Sequence, residues 1–265
     1  MSETEKPAPV PVPSATILIL RDAAEGMEVF MVKRHHQVDY VAGALVFPGG
    51  KVSKSDYDTG LDELLCGAET WDAPMRALAV AAIREAFEEA GILFAREAAT
   101  GEFISAERLE ALDHYRDPLE KGEIGLIDML RAEKLVVACD ALAHFAHWIT
   151  PLANPKRFDT HFFLAAVPKG QAGRHGGRES VDSVWITPED AVADRDKWTV
   201  VFPTRLNLLK LAKSRNVADA MQAATAAPPL TVEPIFEKRE DGVYLSIRKD
   251  AGYDVTSMLH RATPQ

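Results

Sequence analysis

Three glutamates, Glu85, Glu88 and Glu89, stand at positions i, i+3 and i+4 of the chain. If this segment is helical, the spacing places all three carboxylates on one face, because residues three and four apart are neighbours on a helix surface. Like charges held this close repel each other, so the arrangement requires a counter-ion. Hard divalent cations with oxygen ligands, Mg²⁺ or Mn²⁺, meet that requirement. The competing interpretation is an acidic helix face that is merely solvated.

Apolar residues around the glutamates predict the helix that would carry them. At 3.6 residues per turn, the apolar stripe lies roughly opposite the three carboxylates, so one face would be buried and the other would face a site. Arg84 precedes Glu88 by one turn, where it can brace that carboxylate. Gly91 fits the position that ends such a helix. The residues of the stripe are Met75, Leu78, Ala79, Ala82, Ile83, Ala86, Phe87 and Ala90.

A Pro-Gly-Gly turn at residues 48–50 lies upstream, and its two glycines allow a ligand to approach the main chain. Together with the string from Arg84 to Ile92, this turn resembles the Nudix box, the signature of the Nudix hydrolases. The resemblance implies metal-assisted hydrolysis of a diphosphate joined to another group, with Mg²⁺ or Mn²⁺ as the metal. It implies Arg84, Glu85, Glu88 and Glu89 as catalytic residues, and Gly50, Glu85, Glu88 and Glu89 as metal ligands. Glu85 is either a ligand or the general base.

The chain departs from the family pattern at two places. The segment from Lys51 to Met75 lengthens the box, and Arg76 stands where the first glutamate of the pattern should fall. Glu69 and Asp72 are the expected spatial replacements. If neither replaces it, the domain could be a module that binds a nucleotide without cleaving it.

Other segments resemble one branch of the family, the acyl-coenzyme A diphosphatases. The resemblance implies coenzyme A or acyl-coenzyme A as the substrate. A nucleoside diphosphate sugar such as ADP-ribose, or a dinucleotide such as NADH, is the alternative. The segments that carry it are residues 32–36, 41–50, 148–151, 157–160 and 203–204.

Further site residues are predicted outside the box. Glu179 precedes a Trp-bearing strand, where the family often supplies another catalytic carboxylate, and Asp182 is the second choice. Arg34 and His35 follow the second strand and are predicted to contact phosphates, unless they are a solvated charge run. Arg157 is predicted to contact a phosphate or Asp159. The histidines and aromatic residues of the central strands, His144, His147, His161, Trp148 and Phe162, are expected to be structural, although the two aromatic residues could stack on an adenine.

The patterning predicts an α/β (α+β) fold in which a mixed β-sheet is sandwiched between helices, which is the Nudix fold. The domain is expected over 15–225, with helical insertions at about 51–75 and 105–135. A flexible, proline-rich arm is expected over 1–14. An extension over 226–265 should contain a β hairpin. Single helices are predicted over Pro118–Leu135 and Pro203–Ala224.

Composition limits the partners and the compartment. A net charge of −10 over 265 residues argues against nucleic acid or an anionic membrane as the partner. A small diphosphate substrate is expected instead, and a homodimer stays open. Two cysteines without metal-ligand spacing favour a reducing compartment. We find neither a signal peptide nor an apolar run of membrane-spanning length, so a cytoplasmic location is expected.

Overall fold

A computed structural model describes residues 8–34, 43–176, 180–194 and 197–260 of the chain. Within these ranges the chain forms fourteen strands and seven α-helices. The strands are β1 (Val12–Ala23), β2 (Gly26–Arg34), β3 (Leu45–Val46), β4 (Gly49–Lys51), β5 (Leu65–Cys66), β6 (Ala95–Glu97), β7 (Leu135–Ala138), β8 (Ala143–Ile149), β9 (Phe158–Ala166), β10 (Ser180–Ile186), β11 (Thr231–Val232), β12 (Ile235–Arg239), β13 (Gly242–Ser246) and β14 (Ser257–Leu259). The helices are α1 (Ala73–Ala90), α2 (Ala106–Leu112), α3 (Arg116–Glu120), α4 (Leu126–Glu133), α5 (Pro188–Ala193), α6 (Phe202–Leu211) and α7 (Val217–Thr225).

The central sheet is mixed and has eight strands. Its order is β10-β2-β1-β9-β8-β11, with β3 added to β2 and β4 added to β1. The β1–β9 and β8–β11 pairs are parallel, and the other pairs are antiparallel. Because β1 lies next to both β4 and β9, it joins the Gly-Gly turn to the middle of the sheet.

Helices cover both faces of the sheet. Side chains of successive strand residues point to opposite faces, so each central strand contributes to two cores. On one face, Ile17 and Phe163 pack with Phe87 of α1. On the other, Leu18 and Phe162 pack with Leu206 of α6. The predicted mixed sheet between helices is confirmed. Trp148 and Phe162 are both buried in the second core, as expected of structural aromatic residues.

The two predicted insertions pack together beside α1. The first contains 3₁₀ helices at Lys54–Tyr57 and Thr59–Leu64, followed by β5. The second contributes α2, α3 and α4 and leads into β7. Strand β7 lies between β5 and β6, so a small three-stranded sheet ties the two insertions to each other.

Both long helices predicted from the sequence are interrupted. The first is divided into α3 and α4, because Gly122 adopts a left-handed conformation with φ 67°. The second ends at Leu211, and α7 begins after Asn216. The extended backbone of Asn216 and the bond from Asp219 N to its side chain form a new N-cap. Polar side chains that bond to the nearby backbone compete with helix continuation, and the apolar pattern does not reveal this.

Both ends of the described chain form strands. Strand β1 begins at Val12, earlier than the predicted start at Ala15 and inside the predicted arm. The expected C-terminal hairpin is present as β12 and β13, with β14 as a third strand. Within the described ranges, no helix combines the length and the apolar character needed to cross a membrane.

Candidate active site

Helix α1 carries the predicted carboxylates, and it ends at Gly91 as the sequence predicts. Asp72 accepts a hydrogen bond from Met75 N at 2.9 Å, and Gly91 closes the helix with φ 60°. The acidic face is not solvated, because Glu85 and Glu88 are only 9% and 5% exposed. Charged residues are rarely buried unless they are paired or bind a metal. A merely acidic surface is therefore excluded.

Arg84 organises this buried face through all five of its N–H donors. Nη1 donates to Glu85 Oε1 and to Glu88 Oε2, both at 2.9 Å. Nε and Nη2 donate to the two carboxylate oxygens of Asp56 at 3.0 Å, and Nη2 also donates to the carbonyl oxygen of Lys51 at 3.0 Å. The side chains of Glu85 and Glu88 are therefore held in fixed positions.

Asp56, which the sequence analysis missed, lies in the first insertion and is 3% exposed. Its Oδ2 also accepts from Ser53 N at 2.8 Å, within a capping-box turn. A Ser-x-x-Asp pattern at positions 53–56 is the signal for that turn, but it points only to a local cap.

Neither expected replacement for the first glutamate of the box takes that role. The side chain of Asp72 is used as the cap of α1, and Glu69 accepts a hydrogen bond from Gly67 N. Arg76 forms an ion pair with Asp62 at 3.1 Å, in the first insertion. The carboxylate that braces the box is supplied by Asp56.

Strand β4 brings the Gly-Gly turn onto the acidic face. Gly49 N donates to Glu89 Oε2 at 2.9 Å. Gly50 pairs with Ala15 of β1, and a Cβ at Gly50 would overlap the carboxylate of Glu85. Only glycine allows this approach, so Gly50, Glu85, Glu88 and Glu89 are brought together as predicted.

Glu88 lacks a counter-charge for part of its carboxylate. Its Oε1 is buried and has no hydrogen-bond partner, while Oε2 is held by Arg84. Burial raises the pKa of Glu88 to about 8, against the opposing effect of Arg84 and with a smaller contribution from Glu85. A buried oxygen without a partner, on the helix face that also carries Glu85 and Glu89, fits a hard divalent cation. The donor set therefore suits Mg²⁺ or Mn²⁺.

A segment before β10 lies against the C-terminal end of α1. Arg174 N and Gly176 N donate to the carbonyl oxygens of Ala90 and Glu89, at 2.7 and 2.9 Å. Arg116, from the second insertion, donates to the carbonyl oxygen of Glu88 at 2.9 Å. The insertion and this segment therefore hold the helix end that carries the glutamates.

The predicted carboxylates near β10 are only partly described. Glu179 lies outside the described residues, although Gly176, three positions earlier, is bonded to α1. Asp182 is exposed, and its Oδ1 accepts from Ser183 N.

Of the three predicted substrate-binding residues, the structure describes the side chain of Arg157. His35 lies outside the described residues, and Arg34 is the last residue of β2. Arg157 is 7% exposed and is not directed to Asp159. Its guanidinium donates to the carbonyl oxygens of Thr150 and Pro9 and to Glu233 Oε1, at 2.9, 3.1 and 2.6 Å. Because Arg157 is buried and bonded to Glu233, its contacts in this structure are structural, and none is the predicted contact with Asp159.

Comparisons with known proteins point to one family. The chain is 24% identical to the acyl-coenzyme A diphosphatase NUDT19 of Xenopus laevis over 66% of its length, and 27% identical to the putative nudix hydrolase 7 of Caenorhabditis elegans over 78%. It spans 57% and 63% of the lengths of these two relatives.

A solved structure and a family profile agree with these relatives. The crystal structure of a NUDIX hydrolase from Alicyclobacillus acidocaldarius is similar with a TM-score of 0.71 and 29% identity, covering 83% of this chain and 99% of that one. Residues 72–206, half of the chain, match the family profile of the NUDT19 Nudix domain. This match includes α1 with its buried glutamates. The chain belongs to the Nudix family, in the NUDT19 Nudix domain group.

Proposed function

We propose that this protein is a Mg²⁺- or Mn²⁺-dependent pyrophosphohydrolase that cleaves the diphosphate linkage of a nucleoside diphosphate derivative. The observation that carries the proposal is the acidic group of Glu85, Glu88 and Glu89 beside Gly50, with Glu85 and Glu88 buried, in a chain of the Nudix family. A mainly solvated acidic helix would have no reason to bury two of its carboxylates around one arginine.

The chain's own residues prepare the site for this reaction. Divalent ions, when bound, would neutralise charge on the phosphate oxygens and lower the pKa of a bound water molecule. Arg84 fixes the orientation of Glu85 and Glu88, and Gly49 N fixes Glu89. Pre-positioned groups lower the barrier because they need not reorganise during the reaction.

Two residues are candidates for the general base. Glu85 lies at the site, with Oε1 bonded to Arg84, and could act as a ligand or as the base. Glu179 follows Gly176 in the sequence, and Gly176 is bonded to the backbone of Glu89. A base must come within hydrogen-bond reach of the attacking water, directly or through one other water. Substitution of each residue by glutamine, followed by a pH–rate profile, separates the two.

Coenzyme A or acyl-coenzyme A is the proposed substrate class. Support comes from the similarity to proteins of Xenopus laevis and Homo sapiens that are named acyl-coenzyme A diphosphatase NUDT19. Within this proposal, Arg34 and His35 contact the phosphates of the substrate. ADP-ribose and NADH are the alternative substrates.

Hydrolysis assays test the activity and the substrate class separately. Purified protein with Mg²⁺ is incubated with coenzyme A, an acyl-coenzyme A, ADP-ribose and NADH, with Glu88→Gln as the control. We expect cleavage at the diphosphate, with the highest kcat/KM for the coenzyme A compounds. An ADP-ribose preference above about tenfold, ~1.4 kcal/mol, would contradict the substrate class. No cleavage of any compound by folded, metal-loaded protein would contradict the activity.

A nucleotide-binding module without catalysis is the competing function. It was suggested by Arg76 at the first glutamate position of the box. Asp56 supplies a carboxylate to Arg84. The box therefore keeps a bracing carboxylate despite the departure at Arg76. Calorimetry with recovery of the ligand distinguishes the two functions, because a sensor would return every compound unchanged.

We further infer a reducing compartment, such as the cytoplasm, because Cys66 and Cys139 are both unpaired. A homodimer remains a prediction, and sedimentation equilibrium of the full chain tests it.

A further inference from the structure

Three histidines and an aspartate form a second polar group away from the glutamates. His144 and His147 lie on β8, and Asp159 and His161 lie on β9. His147 and His161 are directly paired across the two strands. Paired residues share a face of the sheet, and His161 shares its face with Phe163, which packs in the core beneath α1. His147 and His161 therefore lie on the face of the sheet that is covered by α1, the helix that carries the glutamates.

Three ligand atoms of this group converge. His147 Nε2 is bonded to Asp159 Oδ1, and His161 Nε2 lies 3.9 Å from the same oxygen. The three ligand atoms all lie within 4.8 Å of one another. Two ligands that each lie about 2 Å from one tetrahedral ion are about 3–3.5 Å apart. Small side-chain rotations would bring the three atoms around one ion.

The outer nitrogens of the two histidines already have partners. His161 Nδ1 lies 3.0 Å from His144 Nε2, and His147 Nδ1 lies 2.8 Å from Thr231 Oγ1. Metal-binding histidines usually bond through the other ring nitrogen in this way, which orients the ring and directs the Nε2 lone pair to the ion.

We propose that His147 Nε2, His161 Nε2 and Asp159 Oδ1 bind a divalent transition-metal ion of the Zn²⁺ class. Two imidazoles and one carboxylate are ligands that such ions prefer, whereas Mg²⁺ prefers oxygen ligands alone. Three protein ligands leave a fourth position open. The fully structural alternative is a set of stacked histidines, since the rings of His147 and His161 are 3.9 Å apart.

This second site is separate from the glutamate group. Gly50 and His161 pair with opposite sides of the same residue, Ala15 of β1. Gly50 and His161 are therefore separated by two strand spacings, which is about 10 Å. The proposal is independent of the pyrophosphohydrolase proposal, because neither ligand set contributes to the other.

Cobalt spectroscopy of the full chain tests this site directly. Co²⁺ is titrated into chelator-treated protein, because tetrahedral Co²⁺ with nitrogen ligands gives an intense visible d–d band. We expect the band with one equivalent of Co²⁺, and its loss when Zn²⁺ is added in competition. The band should persist in Glu88→Gln and in His114→Gln, a matched histidine substitution outside the group. It should be lost, or Co²⁺ affinity should fall by at least about tenfold, in His147→Gln and Asp159→Asn.

Two results would overturn the proposal. One is a wild-type protein without the tetrahedral band. The other is a band that survives in His147→Gln or disappears in Glu88→Gln. If a variant of the group does not fold, a crystal of the wild-type protein soaked in Zn²⁺ decides. Anomalous density between His147, Asp159 and His161 supports the site, and its absence rejects it.

Discussion

At the scale of single residues, Arg84 is the centre of the site. Three carboxylates, from Asp56, Glu85 and Glu88, bind one guanidinium, so this group has a formal charge of −3 + 1 = −2 when all are ionised. An arginine does not lose its proton in a protein. Burial acts to lower the pKa of Arg84, but the charges of Glu85, Asp56 and Glu88 outweigh burial and raise this pKa above its ordinary value. The remaining negative charge is the physical reason to expect bound cations.

The first prediction concerns catalysis by Glu88. In Glu88→Gln we expect kcat to fall by about 100-fold or more, because a metal ligand that stabilises the transition state is lost. The change removes a buried charge but preserves size, so the fold should be retained. Steady-state kinetics with Mg²⁺ and circular dichroism measure the two effects. A folded variant with unchanged kcat would remove Glu88 from the site.

The second prediction concerns the pH dependence of stability without metal. The pKa of Glu88 is raised from 4.5 to about 8 in the folded protein, mainly by burial. Between these values the folded state keeps a proton that the unfolded state releases, so stability decreases as pH rises through this window. Urea unfolding of metal-free protein should show this decrease, and Glu88→Gln should show a smaller one. Equal slopes in both proteins would contradict the assignment.

The third prediction concerns Asp56, which binds Arg84 through two hydrogen bonds. Asp56→Asn should lower the free energy of unfolding by about 3 kcal/mol, because it breaks a buried ion pair, and it should also lower kcat. Asp62→Asn is the matched control, because its pair with Arg76 is half-exposed and should contribute less than about 1 kcal/mol. Similar losses in both variants would show that Asp56 has no special role.

The residues of the site were predictable only where the signal was local. The spacing of Glu85, Glu88 and Glu89 fixes a common helix face, and the structure brings them together with Gly50. Asp56 was missed because its contact with Arg84 spans 28 positions and a 3₁₀ turn. Arg157 was assigned to the substrate because its partner Glu233 is 76 positions away. Long-range pairing of charges leaves no periodic trace in a sequence.

At the scale of elements, the two insertions hold helix α1 in position. The first supplies Asp56 to the middle of α1, and the second supplies Arg116 to the carbonyl of Glu88. The small sheet β5-β7-β6 connects them. Helix α1 is therefore held from both insertions as well as from the central sheet, which keeps its carboxylates in place.

The fourth prediction tests the end of α1. Gly91 and Gly101 both adopt left-handed conformations, with φ 60° and 72°. Alanine at either position should cost about 1–2 kcal/mol of stability, because Cβ disfavours this conformation. Only Gly91→Ala should also lower kcat, because Gly91 ends the helix that carries the glutamates, whereas an added Cβ at Gly101 meets nothing within 4 Å. Equal kcat values in the two variants would contradict a role for the helix end.

Elements with strong local signals were predicted well, and those decided by tertiary contacts were not. The apolar stripe of α1 and its Gly91 end were correct. The breaks at Gly122 and Asn216 were missed because the apolar pattern continues across them. The parallel pairing of β1 with β9 joins distant segments, and strand patterns do not specify partners.

At the scale of the whole molecule, Arg157 connects three distant parts of the chain. It bonds Pro9 near the N-terminus, Thr150 at the end of β8 and Glu233 after β11. The C-terminal extension is thereby fixed to the central sheet, in addition to the pairing of β11 with β8. The extension and the Nudix domain should therefore unfold together.

The fifth prediction tests this connection. Arg157→Gln should lower the free energy of unfolding by about 3 kcal/mol and speed proteolysis of the extension, because a buried guanidinium loses its ion pair with Glu233. Arg248→Gln removes a surface pair with Asp250 and should change stability by less than about 1 kcal/mol. KM for coenzyme A should stay the same in both. A tenfold rise in KM with unchanged stability would restore Arg157 as a substrate ligand.

The most direct measurement of the central claim is a crystal of the wild-type protein soaked in Mn²⁺ with a non-hydrolysable diphosphate. We expect anomalous density among Glu85, Glu88, Glu89 and the carbonyl oxygen of Gly50, with the diphosphate oxygens bound to the same ions. Density absent from this position, with the three carboxylates directed away from the diphosphate, would contradict the proposed site and the reaction built on it.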